Sequence, residues 1–107
     1  MSVDRVRHLL DIIDLKKRDM AKYLKQVTEL KREMIILLEK NDRYLNTPAT
    51  DIVLLQQNNI EIIDTNVQYK TAVEHLNKTQ RTINHLQNVI LTIDITDVIT
   101  DIKNNFV

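Results

Sequence analysis

Glycine is missing from all 107 residues of this chain, and proline occurs once, at Pro48. Glycine supplies the positive-φ positions of tight hairpin turns and of phosphate-cradling loops. Its absence argues against strand-rich folds and nucleotide cradles, and for long elements joined by few turns. Cysteine is absent too, which removes disulfide frameworks, thiolate zinc sites and cysteine nucleophiles. The longest strictly apolar run, Met34-Ile35-Ile36-Leu37-Leu38, falls far short of the roughly 18 residues a bilayer span requires. The opening stretch from Met1 to Asp19 has no continuous apolar core of the kind a secretory signal carries. The expected location is therefore intracellular, in the cytoplasm or within a viral or other large assembly, the latter because an Ile- and Asn-rich, Gly-free chain is what an AT-rich genome would encode.

What is present is a seven-residue repeat. Val6, Ile13, Met20, Val27 and Met34 recur at that spacing, and a second line lies three positions on, at Leu9, Tyr23, Leu30, Leu37 and Tyr44. Only Lys16 interrupts the second line. These are the a and d positions of a heptad, and they predict one helix over about residues 3–45. Leu10, Leu24, Leu38 and Leu45 add the e position, so the stripe reads as the inner face of a bundle, wider than a dimeric seam. Asn41 falls at an a position, where a polar group fixes register. Ser2 is the expected N-cap, with Asp4 in the first turn.

Asn46-Thr47-Pro48 is the turn signal. Proline disfavours helix in the residue before it and suits the first turn of the next helix. Asn46 tolerates a left-handed cap, and Thr47 can cap the second helix. A connection this short, residues 46–50, joins antiparallel neighbours. Helix 2 is expected over about 51–92, with Leu55, Ile62, Tyr69, Leu76, Ile83 and Ile90 on its a line. Its d line is poorer: Thr65, Ala72 and Thr79, then Leu86 and Ile93. Gln56-Gln57-Asn58-Asn59 is weak helix-forming sequence and a candidate kink. The extension 93–107 carries two patterns. Ile93 and Ile95 alternate with polar residues as in a strand, but Ile95, Val98, Ile99, Ile102 and Phe106 keep helical spacing to the end, which favours helix. Charge is divided between the halves. Residues 1–45 hold 11 Lys and Arg against 8 Asp and Glu, and residues 46–107 hold 4 against 7, so +3 faces −3. Surface pairs of this kind orient packing more than they stabilise it.

The expected fold is thus all-α, a single helical-hairpin domain with a short helical extension. Two helices leave wide apolar stripes half-covered, and units of this size seldom hold without a further layer. Oligomerisation or a partner helix is therefore expected, using Val6, Leu9, Ile13, Met20, Val27, Leu30, Met34 and Leu37 on helix 1. On the extension the expected contact residues are Ile95, Val98, Ile99, Ile102 and Phe106, whose acidic opposite face suits a basic partner such as the Arg5–Arg7 end of another copy.

Chemistry finds little footing. His8, His75 and His85 form no i, i+3 or i, i+4 pair and read as surface histidines. Asp94, Asp97 and Asp101 share a face, but a hard cation needs six to eight oxygens, normally from a looped backbone. No catalytic residue, cofactor or metal is expected. The cluster Lys16-Lys17-Arg18, with Lys22, Lys25, Lys31 and Arg32, is interleaved with Asp14, Asp19, Glu29 and Glu33 and has no aromatic platform, so neither nucleic acid nor membrane is the expected partner.

The leading expectation is a non-catalytic structural subunit that builds a coiled-coil bundle with itself or with related helical chains. The alternatives are a small chaperone or adaptor that masks a client helix, and a basic-faced nucleic-acid or membrane accessory protein. A proline-turned hairpin of this length is similar in outline to subunits of type III secretion needles and to their small helical chaperones. That likeness covers shape and one turn, and it implies no residue roles.

Overall fold

A computed structural model describes residues 2–106, with side chains from Val3 to Phe106. The fold is all-α: α1 (Ser2–Leu45), α2 (Ile52–Thr92) and α3 (Thr96–Asn105), with no strand among the described residues. The two long helices pack together. Among the described residues no helix is long and apolar enough to cross a membrane. The side chain of Ser2, the expected N-cap, lies outside the described residues.

The chain divides into two compact units, Ala21–Asn77 and Met1–Met20 with Lys78–Val107. Ala21–Asn77 contains the turn. Here α1 ends without a left-handed cap, because no described residue has positive φ; Asn46 closes helically instead, its N–H donating to Asp42 O at 3.1 Å. The carbonyls orphaned at a helix end need donors, and threonine hydroxyls supply them. Thr47 Oγ1 donates to Arg43 O at 2.7 Å, and the Thr50 hydroxyl lies against Tyr44 O and Thr47 O. Thr47 therefore closes α1, in place of the expected role of starting α2. That role falls to Asp51, whose Oδ1 accepts the Val53 N–H at 2.8 Å.

Within this unit Leu37, Asn58, Thr65 and Ala72 are buried. The expected kink at Gln56–Asn59 does not occur; α2 runs unbroken through it. Asn58 lies seven residues before Thr65 on the d line, and its Nδ2 donates to Leu37 O at 3.1 Å. An asparagine that is a poor helix former in isolation is held there by a buried bond to the neighbouring helix, and tertiary contact outweighs a propensity penalty of a few tenths of a kcal/mol. Tyr23 and His75 stack with ring centroids 5.2 Å apart and planes inclined by 15°.

The other unit holds Ile13 of α1 and Ile83 of α2 as its buried apolar residues, Ile83 only 2% exposed. Val6 and Leu9, and Leu86 and Ile90, are half-buried. α2 ends at Thr92, in line with the expected span of about 51–92. Its last turn tightens, with Ile93 N–H donating to Ile90 O at 3.1 Å and Thr92 Oγ1 to Val89 O at 2.7 Å. The following residues resolve the strand-or-helix ambiguity in favour of helix. Asp94 Oδ1 accepts the Thr96 N–H at 2.8 Å, and the Ile99 N–H then donates to Ile95 O at 3.1 Å as α3 begins.

Candidate interaction surface

The heptad separates covered from uncovered residues along α1. Val6, Leu9, Met20, Val27, Leu30 and Met34 are half-buried and Ile13 and Leu37 buried. Lys16 and Asn41, the two polar residues on these lines, are half-buried as well. A lysine can hold such a place by laying its stem along the seam and its ammonium in water. The a and d residues of α1 expected to face a neighbour thus face the chain's own second helix.

The e residues do not join them. Leu10, Leu24, Leu38 and Leu45 are 47–64% exposed, so within the chain they lie outside the seam its two long helices form. A strict a/d seam in a two-helix layer leaves e outside it. Ile35, at the adjoining b position, is exposed beside them, and α2 contributes exposed Ile52, Ile60, Ile63 and Val67 in the Ala21–Asn77 unit. These apolar side chains are the part of the surface that sequence periodicity assigned to the interior or passed over.

The extension is divided. Ile95 and Val98 are half-buried, whereas Ile99, Ile102 and Phe106 are exposed, Phe106 by 87%. Asp94, Asp97 and Asp101 are exposed on α3 and its approach. The two hydrogen bonds from Thr96, first its backbone N–H and then its side chain, hold the Asp94 carboxyl below the ordinary aspartate value.

Charges interleaved in sequence are only partly sorted by heptad position, since Lys22 and Glu29 share the c position. Between Ala21 and Leu38, Lys25 and Arg32 occupy f and Lys31 occupies e, beside Leu24, Ile35 and Leu38. The acids Glu29 and Glu33 occupy c and g. Both border a groove between α1 and α2 with Tyr23, Gln26, Gln68 and His75, and Glu29 also borders a shallow depression with Leu24, Lys25 and Arg32, so it reaches both sides. The ion pair seen among the described residues lies within α1 and does not join the two halves: Arg18 meets Asp14 at 3.0 Å, both side chains well exposed. Among the described residues no three His, Asp or Glu side chains come together as a metal would require. His8, His75 and His85 are all exposed.

No family model, curated protein or solved structure matches this chain.

Proposed function

We propose that the chain is a non-catalytic assembly subunit, a coiled-coil hairpin that completes a helical bundle with further copies of itself. The observation that carries this reading is the exposed leucine line of α1, Leu24, Leu38 and Leu45 with Ile35 beside it. Full burial of a Leu or Ile contributes about 1.5–3 kcal/mol. Side chains left about half-exposed therefore retain roughly half of that each for a contact between chains. Scattered apolar side chains on a surface need no explanation, but a line repeated at helical spacing, broken here at Lys31, is the form a packing helix takes. The seam within the chain is thin by comparison, since three of its buried d residues on α2 are Asn58, Thr65 and Ala72.

Sedimentation velocity of the full chain over a wide concentration range tests the reading. Self-association is expected, and Leu38→Asp should suppress it while leaving the helical content intact, because Leu38 lies outside the intrachain seam. A monomer at every concentration, with a high and concentration-independent melting temperature, would overturn it.

A further inference from the structure

A groove of about 600 Å³ lies between α1 and α2 within the Ala21–Asn77 unit. Sites for small molecules commonly occupy roughly 300–1,000 Å³. Its floor is apolar and narrow. Ala72 holds a d position of α2 where a larger side chain would fill the seam, and space is left beside the half-buried Leu30. From Tyr23 to Glu33 the groove follows α1 for about 15 Å at 1.5 Å per residue.

Its walls come from the c and g positions of both helices, Gln26, Glu29 and Glu33 on α1 and Gln68, Thr71 and His75 on α2. No Lys or Arg lines it. The next c and g residues of α2 toward the turn are Asp64 and Glu61, both exposed. Four carboxylates therefore gather on this side of the unit. The ion pair among the described residues is Arg18 with Asp14, so no cation of the chain is bonded to these four there. Glu29 also reaches the depression beside Lys25 and Arg32, which leaves Glu33 as the firmer anchor. The Thr71 hydroxyl has its proton committed to Val67 O at 3.0 Å, so its oxygen can only accept from a ligand. The Tyr23–His75 stack marks the far end.

A narrow apolar floor under a row of acceptors suits a thin aliphatic chain that carries ammonium groups at intervals. Glu29 and Glu33 stand about 6 Å apart along the helix axis. An extended four-carbon chain separates two ammonium groups by about that distance. A basic helix, some 10–12 Å across, is too thick to reach the floor. We propose that this groove binds a linear aliphatic polyamine, its methylenes along Leu30 and Ala72 and its ammonium groups donating to Glu33, Glu29 and Thr71. The site does not depend on the assembly reading above.

The test titrates spermidine into the full chain at fixed ionic strength, followed by NMR. Saturable shifts are expected at Tyr23, Thr71 and His75. Butylamine, with one ammonium, should bind at least about tenfold more weakly. Glu29→Gln with Glu33→Gln should weaken spermidine about tenfold or more, as loss of charge-assisted hydrogen bonds does. Glu39→Gln with Glu74→Gln removes the same charge from exposed residues that do not line the groove, and should leave the affinity unchanged. Circular dichroism checks that both double variants stay helical. Equal weakening by the two double variants, or equal shifts from magnesium chloride, would reduce the effect to general screening and overturn the proposal. So would an arginine-rich peptide that shifts the groove resonances while spermidine neither shifts them nor competes, which would assign the groove to a protein partner.

Discussion

The side-chain amide of Asn58 on α2 donates to the backbone carbonyl of Leu37 on α1 at 3.1 Å, and both residues are buried. A helical carbonyl has a second lone pair, so this bond fixes the relative slide of the two helices without requiring a break in the ladder of α1. Asn58→Ala should destabilise the chain by about 1–2 kcal/mol, the net value of a buried hydrogen bond plus a small cavity. Asn58→Leu should be neutral or stabilising but allow alternative registers, as buried polar residues in coiled coils do when replaced. Urea unfolding followed by circular dichroism measures the first. Paired-cysteine cross-linking between α1 and α2 reads the second as several products where wild type gives one.

Ile83 is the least exposed core residue of its unit. Ile83→Ala should cost about 2–5 kcal/mol. With total stabilities of order 5–15 kcal/mol, the melting temperature should fall sharply. The exposed Leu91→Ala on the same helix should change it by no more than about 0.5 kcal/mol. Equal effects at the two positions would mean that the seam is misassigned.

The start of α2 depends on Asp51, whose carboxylate accepts the Val53 N–H. Asp51→Ala should cost about 0.5–2 kcal/mol, and Asp51→Asn should recover most of it. Faster amide exchange at Val53 in the alanine variant is the local readout.

Asp94 supports a pH prediction. Its folded carboxyl titrates below the ordinary aspartate value because the Thr96 N–H and side chain bond to its charged form. The stabilisation it gives is fully present above the ordinary value and is lost as pH falls through the lowered folded value. The amides at the start of α3 should therefore lose protection on strong acidification and keep it at mildly acidic pH. NMR titration of the Asp94 side chain checks this: a midpoint at or above the ordinary value would refute it.

Much of this architecture is legible in the order of residues. Val6, Ile13, Met20, Val27 and Met34, with their d partners, mark the covered side of α1 because burial and a seven-residue repeat have one geometric cause. Asn58 was not legible, because its local propensity points to a kink; its place on the line of Thr65 and Ala72 was the signal that identifies it. Leu24 and Leu38 are exposed within the chain, and leucine content does not say whether the layer that covers them belongs to the same chain. The direction in which Thr47 aims its hydroxyl depends on which backbone carbonyl is left open nearby, and that is a property of the turn once formed. The helical state of α3 was favoured by spacing, but the Asp94–Thr96 bond that starts it became apparent only with the backbone in place.

The uninterrupted helices also limit how this chain can change in length. Removing one residue from the middle of α1 rotates everything beyond it by about 100° relative to what precedes it. No glycine and no loop within the helix would absorb that rotation, so Leu24 or Leu38 would turn inward and Leu30 or Leu37 outward. Alterations that preserve the fold must therefore come as whole heptads, and as matched pairs, one in each long helix, placed symmetrically about the Thr47–Asp51 turn. Related chains, if compared by size, should differ in steps of about fourteen residues, with the turn and α3 carried along unchanged.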